Sequence, residues 1–381
     1  MLNQALKLPW KQNNVPHCLI DIIRGCNVVC ENCYNTDTTH IKPLQKVKDE
    51  IDFMVKHRKL HSLAIIGGEP LLHPKLDEII EYVTSKNIIV ELFSNGLLLT
   101  EERLKTLHKL GVKLIFIHIE EGQIRKDLSV NADEKEVKEL RYKIARRVDD
   151  AGIESAIIFT SYKHNMNAIK VAVEEAIAEK SITYIIVTLF RDYTRFNPLK
   201  GDMENGFEGS LNFTKKTDEV PYSNFDVMKY MFEQFAFKPF AYLSSNRKKD
   251  DPRWLSYVLA TFYPEDGTEP MIHPVKSGYL EKIYLFAHYA IKGKYPFFQE
   301  KDEKKAYALL KLNGLFGGDL KGNRAFLKKI SKQKGELKLL RVLFQAPAQI
   351  DEDGTLSYCD TCPDAVIIDG KIVPACVGDQ M

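Results

Sequence analysis

The chain has 381 residues, 44% hydrophobic and 28% charged, the composition of a well-cored soluble protein with one large domain or two ordinary ones. Its 54 basic and 52 acidic residues leave a net charge of +2, so nucleic acid is not expected as the main partner. No apolar run reaches the roughly 18 residues that span a bilayer, so no transmembrane segment is expected, and residues 1–10 lack the basic and apolar regions of a secretory signal, which points to the cytoplasm.

Residues 1–16 read as an N-terminal extension. Six apolar runs follow, at Cys18–Ile23, Ser62–Ile66, Ile88–Phe93, Val112–Ile119, Ile153–Thr160 and Ile182–Phe190. Their Ile, Val and Phe content suits strands buried on both faces. Helical patterns lie between them: Leu44–His57, a stretch from Pro74 to Lys86, one opened by Thr100 as N-cap and closed before Gly111, Ala132–Ala151 before Gly152, and Asn165–Lys180. Six strand–helix repeats predict parallel strands with right-handed crossovers, hence an α/β barrel or part of one over residues 17–190. In such folds chemistry collects at the carboxyl ends of the strands. Those ends carry Cys26, Cys30 and Cys33, then Gly67-Gly68-Glu69-Pro70, then Ser94-Asn95-Gly96, then His118-Ile119-Glu120. Thr160, Arg191 and Arg195 end later strands.

From residue 191 to 350 the pattern changes. Residues 200–220 are rich in Gly, Asn and charge and read as a loop. Residues 223–344 read as mainly helical, a cover region rich in aromatics such as Phe232, Phe235, Phe237, Phe240 and Tyr242. Such a face packs on the barrel or, alternatively, forms an apolar substrate pocket or a membrane-surface patch. Residues 351–381 carry a hairpin, Ala365–Asp369 and Lys371–Pro374 around Asp369-Gly370.

Seven cysteines are odd in number and clustered, which in a reducing compartment indicates metal before disulfide. Cys26, Cys30 and Cys33 follow C-x3-C-x2-C. Three close thiolates can hold three corners of an iron–sulfur cube and leave one iron open. A structural zinc site asks for four protein ligands, and His40 is the nearest extra donor in sequence.

Cys26-x3-Cys30-x2-Cys33 followed by Tyr34, with Gly67-Gly68-Glu69-Pro70 after the second strand, resembles the radical S-adenosylmethionine (radical SAM) superfamily in type, order and spacing. The resemblance covers about the first half of the chain and implies a partial (β/α)6 barrel. It implies a [4Fe–4S] cluster on the three cysteines, S-adenosylmethionine on the open iron, and reductive cleavage to a 5′-deoxyadenosyl radical that abstracts hydrogen from substrate. It assigns Tyr34 and Gly67–Pro70 to the cofactor, with the glycines letting backbone approach the methionyl amine. Ser94 and Asn95 become candidates for a ribose or carboxylate contact, and Glu120 for cofactor hydroxyls or substrate. A flavodoxin or ferredoxin is the implied reductant.

Cys359, Cys362 and Cys376 form C-x2-C-x13-C on the C-terminal hairpin. Zinc, free thiols and an auxiliary iron–sulfur cluster compete there, and the auxiliary cluster fits best beside a first one. The spacing resembles the C-terminal cluster of the molybdenum-cofactor enzyme that cyclises GTP and, more broadly, SPASM/twitch-like segments. The chain departs from that enzyme in its aromatic insert and in a tail without a glycine pair, so GTP is not the expected substrate. Cys18 is a candidate fourth ligand, and otherwise a small core residue. The expected enzyme therefore acts on a substrate of undefined class, large or apolar if the insert binds it. A peptide maturase and a lipid-modifying enzyme are alternatives within the class, and a non-catalytic zinc-binding scaffold is the alternative outside it.

Overall fold

The computed structural model describes residues 2–30, 33, 39–190, 222–298, 301–351, 353 and 355–378. Tyr34, Arg191, Arg195 and the expected loop at 200–220 lie outside the described residues.

A two-residue strand, β1 (Leu6–Lys7), precedes the expected series of β2 (Leu19–Asp21), β3 (Ser62–Ile66), β4 (Ile89–Ser94), β5 (Val112–His118), β6 (Glu154–Ser161) and β7 (Ile182–Leu189). The helices between them are α1 (Leu44–His57), α2 (Leu76–Ser85), α3 (Glu101–Leu110), α4 (Glu134–Asp150) and α5 (Asn167–Ala178). Strands β2 to β7 lie side by side in chain order and all pair in parallel, the arrangement of a partial (β/α)6 barrel. Local signals set the helix ends. Thr100 Oγ1 accepts the Arg103 N–H at 3.1 Å, and Asp133 and Glu136 close a reciprocal capping box. The outer sheet face, including Leu63, Ile65, Leu92 and Ile115, packs on Ile51, Met54, Ile79, Leu107 and Val148 from the helices. Full burial of each such side chain contributes about 1.5–3 kcal/mol.

Residues 191–350, read as mainly helical, also hold strands that the sequence did not announce. Their described part runs α6 (Asn224–Phe235), β8 (Ala241–Ser244), β9 (Pro252–Pro264), β10 (Met271–Pro274), α7 (Tyr279–Lys292), α8 (Glu303–Asn313), α9 (Leu320–Ile330) and β11 (Gly335–Gln345). Strand β11 continues the barrel sheet in parallel beside β7. Strand β9 pairs antiparallel with β11 along its whole length, β8 pairs with β9, and β1 pairs with β8. The N-terminal residues are thus part of the sheet, and Trp10 and Val15 join the inner core with Leu114, Phe116, Ala156 and Ile186. Strand β11 reads as helix because Leu337, Leu340 and Phe344 fall three and four residues apart, a spacing that also occurs within a strand.

The aromatic segment divides between core and surface. Phe237 is buried and stacks on Phe235 at 5.0 Å, while Phe232 is exposed. Along α7, Tyr279, Ile283, Phe286 and Ile291 are all exposed at helical spacing. No helix among the described residues is long and apolar enough to cross a membrane.

The chain ends in β12 (Gln349–Ile350), β13 (Leu356–Ser357), the hairpin β14 (Ala365–Ile368) and β15 (Lys371–Pro374), and α10 (Ala375–Gly378). Asp369 and Gly370 both take positive φ, 48° and 73°, as a two-residue hairpin turn of this hand requires. Val366 and Ala375 pack on Leu19, Ala64 and Ile66 at the first edge of the barrel. Asp364 accepts the Gln345 Nε2 amide at 2.5 Å at the end of β11. The C-terminal segment therefore touches the β2 edge of the sheet and the end of β11.

Candidate metal centre and cofactor site

Cys26, Cys30 and Cys33 are partly buried, lie directly after β2, and like the other four cysteines form no disulfide. The loop that carries them is fastened to the turn after β3 through backbone hydrogen bonds. Gly68 N–H donates to the Ile23 carbonyl at 2.7 Å and Glu69 N–H to the Gly25 carbonyl at 2.8 Å. A Cβ on Gly67, whose φ is +153°, would collide with the Ile23 carbonyl oxygen, and one on Gly68 with those of Arg24 and Gly25. The glycines thus let the cysteine loop approach, and the Gly68 and Glu69 N–H groups hold that loop.

The Glu69 carboxylate turns inward. It accepts Asn95 N–H at 2.8 Å, Leu71 N–H at 3.1 Å and the Ser94 hydroxyl at 3.1 Å, and the residue has no exposed surface. Burial pushes its carboxyl up to about 7 despite those donors and the nearby Arg125 charge. Pro70 is buried and opens the short 3-10 turn Pro70–Leu72 that Glu69 caps. Ser94 also accepts the Gly96 N–H at 3.0 Å, so its hydroxyl is committed within the protein. Among these residues it is Asn95 that reaches the thiols: its Nδ2 lies 3.7 Å from Cys26 Sγ and 2.7 Å from Asn27 Oδ1.

Glu120 follows β5, at the rim. Its Oε1 accepts the Thr160 backbone N–H at 2.7 Å and pairs with His118 Nε2 at 3.0 Å. Burial lowers the His118 imidazole, but the Glu120 carboxylate and the adjacent Cys30 outweigh it and hold the ring well above its ordinary value. This pair sits beside the cysteine loop, with Cys30 adjacent to the ring.

Three residues at this site carried no sequence signal. Gln123 Nε2 lies 3.3 Å from Cys30 Sγ. Arg125 reaches Gln123 Oε1 at 2.9 Å and the Asn95 carbonyl at 3.0 Å, and Asp127 holds its guanidinium at 2.6 and 3.0 Å. They stand on an irregular loop after β5, and only the fold brings them to the cysteines.

Side-chain amide N–H groups directed at two of three clustered sulfurs are the surroundings an anionic thiolate ligand uses, so the donor set fits an iron–sulfur cluster. Among the described residues, no three His, Cys, Asp or Glu side chains converge as a single metal ion would need, and neither cysteine group assembles a closed zinc site.

At the C-terminus, Cys359 and Cys362 are buried and hydrogen-bonded to each other. The hairpin register sets Ala365 opposite Pro374, and Ala375 N–H bonds the Asp364 carbonyl at 2.8 Å, so Cys376 is returned to the end from which Cys362 departs. Cys376 Sγ accepts the Ala348 N–H at 3.4 Å. Cys18 is fully buried at the start of β2, and Arg58 donates to the carbonyls of its neighbour His17 and of Pro363, beside Cys362.

Residues 20–188 match the model of the Radical SAM superfamily. The AdoMet-dependent heme synthase of Methanosarcina barkeri (strain Fusaro / DSM 804) is 32% identical over 112 residues, 28% of this chain and 32% of that protein. The antilisterial bacteriocin subtilosin biosynthesis protein AlbA of Bacillus subtilis (strain 168) is 28% identical over 102 residues, 26% of this chain and 22% of that protein. The chain thus spans under a third of the length of either curated relative. Among solved structures, Streptococcus suis SuiB bound to precursor peptide SuiA aligns at 17% identity over 57% of this chain and 47% of that one, with a TM-score of 0.41.

Proposed function

We propose, from the match of residues 20–188 to the Radical SAM superfamily, that the chain is a radical SAM enzyme using a [4Fe–4S] cluster and S-adenosylmethionine, with Cys26, Cys30 and Cys33 holding the cluster. The observation that carries this assignment is the thiol loop itself, pinned to the Gly67–Pro70 turn, with the Asn95 and Gln123 amides on two of its sulfurs. Bound there, the cluster and S-adenosylmethionine supply reductive cleavage to a 5′-deoxyadenosyl radical, which takes a hydrogen atom from substrate. The protein's part is positioning. Glu69 and Ser94 fix the Asn95 turn, the Gly67–Pro70 turn fixes the thiol loop, and Glu120 with His118 presents a polar pair at the rim towards cofactor hydroxyls or substrate. Tyr34 remains a cofactor contact on its place after Cys33.

Cys359, Cys362 and Cys376 are proposed to hold an auxiliary [4Fe–4S] cluster that relays an electron or anchors substrate. The return of Cys376 beside the Cys362 strand end supports this. The substrate class is open. The named relatives act in heme and bacteriocin biosynthesis, and the exposed α7 stripe supports a large or apolar substrate. A flavodoxin or ferredoxin is the proposed electron donor. The test is anaerobic protein with S-adenosylmethionine and dithionite. Wild type should form 5′-deoxyadenosine, and Cys26→Ala, Cys30→Ala or Cys33→Ala should abolish it. Turnover surviving in all three variants would remove the assignment.

A further inference from the structure

The Arg125 side chain is fully buried, yet it sits in an irregular loop. Its guanidinium is held by Asp127 through two bonds, Nε to Oδ1 at 2.6 Å and Nη2 to Oδ2 at 3.0 Å. A guanidinium gripped this way has a fixed plane, and its remaining N–H groups point in fixed directions. Nη1 meets Gln123 Oε1 at 2.9 Å, and Nη2 meets the Asn95 carbonyl at 3.0 Å.

The first contact decides the orientation of the Gln123 amide. With its oxygen on a cation, its Nε2 must face away, and there it finds Cys30 Sγ at 3.3 Å and the His118 carbonyl at 3.4 Å, both acceptors. The reversed amide would set NH2 against guanidinium and oxygen against sulfur, losing three contacts at once. The second contact acts on the other side. Asn95 has its own N–H on Glu69, its Oδ1 on Leu97 N–H at 3.0 Å, and its Nδ2 towards Cys26 Sγ. One fixed guanidinium thus supports two amides that reach two different thiols of the same loop.

We propose that Arg125 is a positioning residue that locks Gln123 so that its amide donates to the Cys30 sulfur, and that this donor raises the potential at which the cluster accepts its electron. Donors to cluster sulfurs stabilise the more negative, reduced state, and the effect is strong where solvent is excluded. The inference rests on the reading that Cys30 is a cluster ligand.

The test is an EPR-monitored redox titration of the anaerobically reconstituted full chain, compared among wild type, Gln123→Leu, Gln123→Glu and Arg125→Lys, with potential read per cluster so that partial loading does not matter. Gln123→Leu removes the donor, and Gln123→Glu puts a carboxylate against the sulfur. The expected result is a reduction equilibrium shifted tenfold against the reduced form in Gln123→Leu, about 59 mV for one electron, a larger shift in Gln123→Glu, and an intermediate one in Arg125→Lys. A purely structural Gln123 would change loading without moving the midpoint. Equal midpoints in wild type, Gln123→Leu and Gln123→Glu overturn the proposal. Wild type with no [4Fe–4S] signal overturns instead the reading on which it rests, and the two failures are distinct.

Discussion

Gly68 donates its N–H to the Ile23 carbonyl at 2.7 Å, which makes the turn after β3 and the cysteine loop after β2 a single backbone unit. The thiols are therefore placed by a neighbouring strand end, and not only by the loop that carries them. Because a Cβ at position 68 would meet two carbonyl oxygens of that loop, one at 2.5 Å, the contact depends on glycine.

Gly68→Ala should push the loop away from β3. Overpacking of this kind costs about 1–3 kcal/mol, and the larger effect should fall on the metal. Most of the iron retained by wild type after anaerobic reconstitution should be lost, with far-UV circular dichroism unchanged. Iron per chain equal to wild type would show that the loop is placed without this contact.

The C-terminal cysteines give a separate readout. Changing Cys359, Cys362 and Cys376 together to serine should halve iron, from about eight to about four atoms per chain if both groups hold a four-iron cube. Uncoupled formation of 5′-deoxyadenosine should persist, because Cys26, Cys30 and Cys33 stay intact. An unchanged iron count in the triple variant means that the second group holds no iron.

How much of this was legible in the sequence follows from where each signal is stored. The six parallel strands could be read because runs such as Ser62–Ile66 and Ile182–Leu189 are buried on both faces and so are almost wholly apolar. The cysteine and glycine motifs could be read because their function demands fixed residue types at short spacing. Strand β11 could not, since Leu337, Leu340 and Phe344 fit a helix as well as a strand until a partner strand is known. Arg125 was hidden for a different reason. Its partners Asn95 and Asp127 lie 30 and two residues away, and no local pattern marks a loop arginine as buried. For Gly67, Gly68 and Glu69 the motif was legible, but their contacts to the cysteine loop and to Ser94 and Asn95 needed the fold.

Arg58 donates to the His17 and Pro363 carbonyls at 2.7 and 3.3 Å, while its Nε has no partner among the described residues. It is only 4% exposed, and the acidic groups around it are Cys18, Cys362 and Asp364. A buried cation in that company suits thiolates at the C-terminal group. Arg58→Met removes the donor to the His17 carbonyl and one of two donors to the Pro363 carbonyl, which keeps the Ala365 N–H at 2.9 Å, a cost of about 1–3 kcal/mol, visible as a lower urea midpoint. It should also reduce iron at the second group and leave the first loaded. Loss of stability with full iron retention would confine Arg58 to tying α1 to the tail.

Glu91 supplies a pH test independent of any metal. It is buried on the inner face of β4, its Oε1 has no hydrogen-bond partner among the described residues, and His17 Nδ1 lies 3.9 Å away. Burial pushes its carboxyl up to about 8. The native chain therefore keeps a proton there that the unfolded chain loses above its ordinary value of 4.5. Native protein binding more protons than unfolded means that stability falls as pH rises, by up to about 1.4 kcal/mol per pH unit for one group. Asp364, pushed up to about 7 by burial, adds the same sign up to that pH. His17, lowered to about 3 by burial, opposes it, but only below 6.5, where the unfolded ring begins to charge. Glu69, pushed up to about 7, and His118, held above its ordinary value, act with the same sign between pH 6.5 and 8, so the Glu91 contribution is read as the difference between wild type and Glu91→Gln. Glu91→Gln should gain on wild type by about 2 kcal/mol across that window, measured by urea unfolding of the metal-free chain. A constant difference between the two proteins from pH 6.5 to 8 would mean that Glu91 is already ionised in the native state, with the nearby Arg341 charge on β11, which pulls its carboxyl down, stabilising it.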